Sequence, residues 1–168
     1  MELAPLNFKK WIDEHRHLLK PPVGNKMLYS GQFMVMVVGG PNQRTDFHVN
    51  PTEELFYQVE GDIVLRILEH GKPVDVPIKE GEIFLLPPNT PHSPQRGPNT
   101  VGLVIERRRL PEEKDTFLWI CDRCQSELYR DSFHLTDLVK QLPPVFSRYW
   151  GNPENTTCKK CGQKHEKH

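Results

Sequence analysis

Short apolar runs separated by turn residues dominate the hydrophobic pattern of this chain. The runs are rich in β-branched and aromatic side chains, and glycine or proline stands between most of them, which is typical of strands rather than helices. They occupy residues 33–38, 55–59, 63–68, 74–78, 83–86 and 101–106. Because the spacing of these runs is nearly even, the pattern predicts an antiparallel sandwich or barrel.

One of the turns carries a hairpin signature. Glu60-Gly61-Asp62 lies directly between the runs 55–59 and 63–68. Two apolar runs joined by a short turn that contains glycine commonly pair with each other. We therefore expect these two strands to be neighbours in one sheet.

Two amphipathic helices are also predicted. The first covers residues 7–19 and is stopped by Pro21-Pro22, since proline cannot continue a helix. Its apolar positions are Phe8, Trp11, Ile12, Leu18 and Leu19. The second is predicted over residues 131–142, where apolar residues recur at helical spacing before Pro143-Pro144.

Charge and composition narrow the range of functions. The chain has 168 residues, with Lys+Arg 22 and Asp+Glu 22, so the formal net charge is zero. That balance argues against a nucleic-acid-binding protein built on a broad basic face. No apolar run approaches the roughly 20 residues of a membrane span, and the N-terminal residues lack the pattern of a signal peptide. We therefore expect a cytoplasmic protein with neither a membrane nor a nucleic-acid partner.

The strand pattern breaks after three consecutive arginines, Arg107 to Arg109. We therefore assign residues 1–110 to a main domain and residues 111–168 to a small C-terminal extension. An extension of this size is too small to hold a core without further support.

The extension carries all four cysteines of the chain. They form two Cys-x-x-Cys pairs, Cys121 with Cys124 and Cys158 with Cys161. In a reducing compartment such pairs are typical metal ligands rather than disulfides, and four thiolates make a closed tetrahedral site. Zinc and rubredoxin-like iron share this geometry, so the second metal is either iron or zinc. A closed site favours a structural role, and electron transfer stays open if iron is bound.

Two histidines and a glutamate form a candidate catalytic metal site. His48 and Glu54 are six residues apart, and His92 follows downstream. Two imidazoles and one carboxylate are the ligand set of non-haem Fe(II) sites that keep positions open for substrate and O₂. Arg44 precedes His48 by four residues, and Arg96 follows His92 by four. Two guanidinium groups beside a metal favour a small anionic substrate held against Fe(II).

Strand alternation extends this candidate site. Arg44 and His48 share one face of an extended segment, and Glu54 shares a face with Phe56. Glu106 shares a face of its strand with Val104. Since inward faces of neighbouring strands converge inside a small barrel, these side chains are candidates for a common interior site.

The spacing of these residues resembles the cupin family over residues 30–106. The two cupin motifs are matched by His48-x-Asn50-x₃-Glu54-x₆-Gly61 and Gly81-x₅-Pro87-x-Asn89-x₂-His92-x₃-Arg96. Asn50 replaces the second histidine of most cupins, which leaves three protein ligands, and Arg96 replaces the final asparagine of the second motif. The resemblance implies an all-β cupin barrel, a double-stranded β-helix or jelly roll, with an N-terminal helix and a metal-stapled C-terminal extension.

Among cupins, the chain resembles the 3-hydroxyanthranilate 3,4-dioxygenase family, in its microbial form with a cysteine-rich C-terminal metal site. The residues that carry this resemblance are Arg44, His48, Glu54, His92, Arg96 and Glu106, together with the four cysteines. It implies Fe(II)-dependent extradiol cleavage of 3-hydroxyanthranilate by O₂. The product would be 2-amino-3-carboxymuconate semialdehyde, on the kynurenine route to quinolinate and NAD. A homodimer is a further implication of the resemblance.

The resemblance also suggests a role for each residue of the site. The three ligands would hold iron, Arg44 and Arg96 would clamp the ring carboxylate, and Phe56 would pack against the ring. Glu106 would accept a proton or a hydrogen bond from the substrate.

Less specific interpretations stay open. One is another cupin enzyme, such as a different small-acid dioxygenase or an isomerase. The other is a non-catalytic module whose zinc-ribbon-like tail binds protein or nucleic acid. At the level of single residues, Glu106 could simply pair with the arginines at 107–109.

Overall fold

Two antiparallel sheets form the body of the protein in a computed structural model, which describes residues 4–21 and 24–166. Strands and helices are numbered in chain order. The first sheet contains, in spatial order, β1 (Asn25–Ser30), β2 (Phe33–Gly39), β9 (Val101–Arg107), β4 (Glu54–Glu60) and β7 (Ile83–Leu86). The second contains β11 (Glu127–Phe133), β10 (Asp115–Ile120), β3 (Phe47–Val49), β8 (His92–Arg96), β5 (Ile63–Glu69) and β6 (Lys72–Ile78).

The all-β prediction is confirmed, and each predicted run falls within a strand of one sheet or the other. Apolar side chains of both sheets meet in a common core between them. From the first sheet this core takes Met36, Phe56, Leu86 and Val104, and from the second Ile63, Leu65 and Ile78. Since the inward faces of both sheets are buried against each other, the architecture is that of a cupin barrel.

The predicted hairpin at Glu60-Gly61-Asp62 is wrong. β4 pairs with β7 and β9, whereas β5 pairs with β6 and β8, so the turn carries the chain from one sheet to the other. Gly61 has a φ of 67°, and its N–H donates to the Glu80 carboxylate at 2.7 Å. A turn signature reports only that the chain changes direction; burial of both strands in one core decides the partners. The hairpin forms instead between β5 and β6, through His70 and Gly71 with φ of 50° and 76°.

The first predicted helix is confirmed as α1 (Phe8–His15), followed by a 3₁₀ turn at Arg16–Leu18. Asn7 caps it, because its side chain accepts a hydrogen bond from the Lys10 N–H at 3.0 Å. Buried apolar residues attach this segment to the first sheet: Ile12, Leu19, Val37 and Val101. Of the two prolines predicted to end the helix, Pro22 lies outside the described residues.

The second helix prediction is wrong in its position. Residues 131–133 belong to β11, and the helix is α2 (Leu138–Trp150), with Asp137 as its cap and both Pro143 and Pro144 inside it. An interior proline costs about 3 kcal/mol. The compensating interaction is aromatic packing at the end of the helix, which the local pattern does not reveal. A further short helix, α3 (Pro153–Thr156), follows.

The helix α2 packs on the outermost strands of the second sheet. Tyr149 stacks on Trp119 with ring centroids 4.1 Å apart, and both side chains are fully buried. Val145 and Phe117 belong to the same cluster. Burial of such aromatic side chains stabilises the packed helix by several kcal/mol, which opposes the cost of the two interior prolines.

The chain beyond residue 110 adds two strands to the second sheet. β10 pairs with β3 on one side and β11 on the other. The domain boundary at residue 110 stays a prediction, but β10 is part of the structure that surrounds the barrel interior. Within the described ranges, none of the helices has the length and apolar character needed to cross a bilayer.

We expect Gly39→Ala to destabilise the protein, because a Cβ at this position would lie 1.9 Å from the Leu19 carbonyl oxygen. Overpacking of this kind costs about 1–3 kcal/mol or more. Chemical denaturation would measure the loss. Gly31→Ala is the matched control, since its Cβ would meet nothing nearer than 4.0 Å. Equal stability of the two variants would contradict the close approach of the N-terminal segment to β2.

Candidate active site

Strands β3, β4 and β8 bring the three predicted metal ligands together. His48 and His92 are direct partners across β3 and β8, and Glu54 is the first residue of β4. All three side chains are buried, and one ligand atom from each lies within 4.8 Å of the others. His92 Nε2 lies 3.1 Å from Glu54 Oε2. Residues distant in sequence thus form one group that can hold a metal ion.

Each imidazole has one ring nitrogen engaged by the protein. His92 Nδ1 lies 3.0 Å from the Thr90 carbonyl oxygen, and its Nε2 faces Glu54. His48 Nε2 lies 2.7 Å from an Asp115 carboxylate oxygen. Hydrogen bonds of this kind fix the orientation of a ligating histidine and decide which nitrogen carries the proton.

The electrostatic environment favours an ionised Glu54 carboxylate and a neutral His48 imidazole. Burial alone would raise the pKa of Glu54, but the neighbouring His92, His48 and Arg109 lower it to about 2. Burial lowers the pKa of His48, despite its hydrogen bond to Asp115. Metal ligands must be deprotonated, so these protonation states suit a divalent cation.

Asn50 occupies the place of the additional cupin histidine and serves another purpose here. Its side chain is fully buried, and its Nδ2 donates to Glu54 at 3.1 Å and to Glu106 at 3.2 Å. The amide therefore stands between two carboxylates that would otherwise repel each other. Its Oδ1 has no hydrogen-bond partner among the described residues, which leaves an acceptor in the interior of the site.

Arg96 is a buried cation without a carboxylate partner. The residue is only 4% exposed, and its Nη1 contacts Gln58 Oε1 at 3.4 Å, the long limit of a hydrogen bond. It forms no ion pair with any residue that the structure describes. Burial and the like charge of Arg44 lower its pKa to about 10 in spite of Glu54. Since a buried unpaired charge is costly, this guanidinium is suited to an anionic ligand.

A glycine makes room for the Arg96 guanidinium. A Cβ at Gly102 on β9 would lie 2.8 Å from Arg96 Nη1 and 2.9 Å from Gln58 Oε1. A larger residue at this position would push the guanidinium away. On β8, Arg96 shares a face with His92, because side chains alternate along a strand.

Arg44 differs from Arg96 because it is already paired. Its Nε donates to Asp46 at 3.2 Å, and its Nη2 makes a second, shorter contact with the same buried carboxylate. Arg44 also lines a cavity of about 260 Å³, together with Arg66, Gln95 and Cys121. The two-arginine clamp therefore stays a prediction, and Arg96 is its better-supported half.

Glu106 lies in a buried ion pair. Its carboxylate contacts Arg109 at 2.7 Å, so the simple pairing with a neighbouring arginine is part of the structure. Burial and the charge of Glu54 nevertheless raise the pKa of Glu106 to about 7, against the opposing effect of Arg109. A carboxylate with its pKa near neutrality can exchange a proton under working conditions.

The sequence analysis missed Asp115 in this environment and named Arg109 only as a possible partner of Glu106. Arg109 and Asp115 form an ion pair through two contacts of 2.8 and 2.7 Å, and both are buried. Asp115 stands 67 residues from the histidine that it contacts. The only sequence signal is that Asp115, Phe117 and Trp119 occupy alternate positions of one run. This spacing puts a charged residue on the same strand face as two aromatic residues, which are usually buried.

Phe56 lies beside the predicted metal ligands. It is 2% exposed, and its ring meets the His92 ring edge-on at a centroid distance of 6.1 Å. This position is compatible with contact to an aromatic ligand, and its proposed packing role stays a prediction.

The four cysteines form a second group that can hold a metal. Their sulfur atoms lie within 4.8 Å of one another and none is in a disulfide. Cys121 is 3.6 Å from Cys161, and Cys124 is 3.5 Å from Cys158. The Ser126 hydroxyl is the main cause that lowers the pKa of Cys158 to about 6. A thiolate at neutral pH is the form that binds metal.

The double-sheet barrel and its interior group of two histidines and a glutamate define a cupin with a candidate metal centre. The chain belongs to the 3-hydroxyanthranilic acid dioxygenase family, whose family model matches residues 1–150.

Curated relatives agree with this membership over nearly the whole chain. A 3-hydroxyanthranilate 3,4-dioxygenase from Xanthomonas euvesicatoria is 50% identical over 165 residues, covering 98% of this chain and 94% of the relative. One from Jannaschia sp. is 53% identical over 165 residues, covering 97% of this chain and 92% of the relative. Among solved structures, a cupin-2 domain protein from Shewanella frigidimarina is 15% identical with a TM-score of 0.49, covering 58% of this chain and 92% of that one.

We expect the two groups to bind metal independently. After anaerobic loading with Fe(II), His92→Ala should lose one metal ion per chain and Cys161→Ser should lose the other, because each removes a ligand from only one group. Elemental analysis of desalted protein would measure this. His70→Ala, on the β5–β6 turn, is the control and should keep the full metal content. Loss of both ions in either variant would contradict two separate sites.

Proposed function

We propose that this chain is an Fe(II)-dependent 3-hydroxyanthranilate 3,4-dioxygenase. It takes 3-hydroxyanthranilate and O₂ to 2-amino-3-carboxymuconate semialdehyde by breaking the ring bond between C3 and C4, and both oxygen atoms of O₂ are retained in the product. Family membership and the names of the relatives support this substrate. The single observation that carries the proposal is Arg96, a buried cation without a carboxylate partner in the described chain, on the same face of β8 as His92.

The substrate chemistry matches the groups in the barrel. An aromatic ring with adjacent amine and hydroxyl groups can use both as neighbouring donors to one metal. The ring carboxylate can form charge-assisted hydrogen bonds with Arg96, with Arg44 as the second member of the clamp. Phe56 offers an apolar surface beside His92 for the ring.

The residues present fit an Fe(II) ion. His48, Glu54 and His92 would hold it, since two imidazoles and one carboxylate are the ligand set typical of non-haem Fe(II) oxygenases. When bound, Fe(II) supplies positions at which an aromatic substrate and O₂ can react side by side. The protein contributes three ligands because Asn50 is engaged with Glu54 and Glu106.

Glu106 is the proposed proton acceptor. Burial raises the pKa of this carboxylate to about 7, and Arg109 contacts one of its oxygens at 2.7 Å. It can therefore take the proton that the substrate hydroxyl or amine releases on binding. The amide of Asn50, 3.2 Å from the same carboxylate, holds it apart from Glu54.

The proposal also includes the second metal, the oligomeric state and the cellular location of the protein. The four cysteines hold a second metal, iron or zinc, as a staple for the C-terminal segment. The protein acts in the cytoplasm as a homodimer, on the route to quinolinate and NAD. Sedimentation would give its oligomeric state.

We expect Arg96→Gln to weaken the binding of 3-hydroxyanthranilate. Loss of a charge-assisted hydrogen bond costs about 1.5–3 kcal/mol, which corresponds to a rise of roughly 10- to 150-fold in KM. Oxygen uptake by the iron-loaded enzyme would measure this change. Arg130→Gln, which removes an arginine from an exposed ion pair, should leave KM unchanged.

A substrate without the carboxylate sharpens the same test. With 2-aminophenol, wild type and Arg96→Gln should be equally poor, because the group that Arg96 binds is absent. An unchanged KM for 3-hydroxyanthranilate in Arg96→Gln would contradict the proposed clamp. Absence of oxygen uptake by the fully iron-loaded wild type would overturn the proposed function.

We expect Glu106→Gln to lower kcat by about 10²- to 10⁴-fold, the usual range for loss of a general base. The amide keeps the shape of the side chain but cannot accept the proton. Metal content should be unchanged, since Glu106 is not among the ligands. Glu112→Gln, an exposed residue of the following loop, should keep full activity. A Glu106→Gln enzyme with wild-type kcat would exclude the proton-accepting role.

A further inference from the structure

Arg96 is fixed at both of its ends by uncharged groups. Its backbone N–H donates to Asn42 Oδ1 at 2.9 Å, and its carbonyl oxygen accepts from the Asn42 N–H at 3.1 Å. At the far end of the side chain, Nη1 lies 3.4 Å from Gln58 Oε1. Within the described part of the chain, Gln58 is the only residue that accepts a hydrogen bond from this guanidinium.

Gln58 presents its amide oxygen to Arg96 because its amide nitrogen is engaged elsewhere. Gln58 Nε2 donates to the Glu60 carbonyl oxygen at 3.0 Å. A carbonyl can only accept and a guanidinium can only donate, so exchanging the amide oxygen and nitrogen would lose both contacts. Gln58 is 1% exposed, and its backbone also bonds to Glu82 through the N–H and to Gly81 through the carbonyl. The amide therefore has one orientation in this site.

The guanidinium and the amide meet above Gly102. Gln58 lies directly opposite Gly102 in the pairing of β4 with β9. A Cβ at Gly102 would be 2.8 Å from Arg96 Nη1 and 2.9 Å from Gln58 Oε1. Both distances are shorter than an ordinary van der Waals contact. The contact between the two side chains thus depends on the missing side chain at this position.

The lack of charge on Gln58 matters for the binding of an anion. A glutamate at this position would give Arg96 an ion pair, as Asp46 does for Arg44, and would compete with an anionic ligand. The amide oxygen orients the guanidinium by a hydrogen bond but carries no net charge. Burial lowers the pKa of Arg96 to about 10, so the group stays protonated near neutral pH. Its positive charge is therefore available to a ligand.

We propose that Gln58 is a positioning residue that holds the Arg96 guanidinium in an uncharged contact, so that its positive charge is available to the carboxylate of the substrate. This inference rests on the proposed function, in which Arg96 binds that carboxylate. Gln58 thereby sets the preference of the site for an anionic aromatic ligand while it acts only through Arg96.

Gln58→Glu tests the requirement for an uncharged partner. The introduced carboxylate pairs with Arg96, so the Kd of 3-hydroxyanthranilate should rise roughly 10- to 150-fold, as expected for Arg96→Gln. Calorimetry with iron-loaded protein under anaerobic conditions measures Kd without turnover. The Kd of 2-aminophenol, which has no carboxylate, should be unchanged. An equal loss of affinity for both ligands would overturn the positioning role, because it indicates general damage to the site.

A second variant removes the acceptor without adding a charge. Gln58→Met should raise the Kd of 3-hydroxyanthranilate about 2- to 10-fold, the range for loss of one ordinary hydrogen bond. Because Gln58 acts through Arg96, the double variant Gln58→Met/Arg96→Gln should bind no more weakly than Arg96→Gln alone. Additive losses in the double variant would contradict a role that depends on Arg96.

Gln32→Glu is the matched control, since it makes the same change at an exposed position and should leave both Kd values unchanged. If both Gln58 variants had the wild-type Kd while Arg96→Gln was impaired, the positioning role alone would be overturned. If Arg96→Gln itself bound 3-hydroxyanthranilate as tightly as the wild type, the carboxylate clamp of the proposed function would fail, and the inference would fail with it.

Discussion

The ion pairs of Arg109 are the interaction on which the candidate site depends most. One buried guanidinium binds Asp115, which holds a predicted metal ligand, and Glu106, the predicted proton acceptor. Breaking a buried pair leaves an uncompensated charge and typically costs about 3–5 kcal/mol. The interior of this barrel can be polar because its buried carboxylates and guanidinium groups contact each other. The apolar core that closes the rest of the barrel supports this arrangement but does not create it.

The parts of the site that the sequence predicts well are those fixed by local spacing. His48 and Glu54 lie close together in the chain, and strand alternation decides which way their side chains point. Arg96 follows from the same rule, since it lies two side-chain positions beyond His92 on one face of β8. Six strands (β2, β4, β5, β6, β7 and β9) were also predictable, because each has a clear apolar run bounded by turn residues. The other five (β1, β3, β8, β10 and β11) were not predicted.

The errors and omissions share a physical cause, which is contact between residues far apart in the chain. The turn at Gly61 has the residues of a hairpin, yet the core draws its two strands into different sheets. The helix α2 includes two prolines because Tyr149 stacks on Trp119, a partner that local pattern does not identify. Asp115 gives almost no sequence signal, since its importance comes from a histidine on a strand that pairs with its own.

The balance of buried charge has a consequence for which molecules the interior accepts. Among the described residues, four carboxylates (Asp46, Glu54, Glu106 and Asp115) lie near three guanidinium groups (Arg44, Arg96 and Arg109), so the interior with all of these groups ionised has one excess negative charge. A divalent cation at the predicted metal centre would reverse that sign, and the single carboxylate of 3-hydroxyanthranilate would then make the interior neutral. A neutral aromatic amine would leave the positive charge uncompensated, and a dicarboxylate would exceed it. The charge count therefore favours an aromatic monocarboxylate over both of these as the ligand of a metal-loaded site.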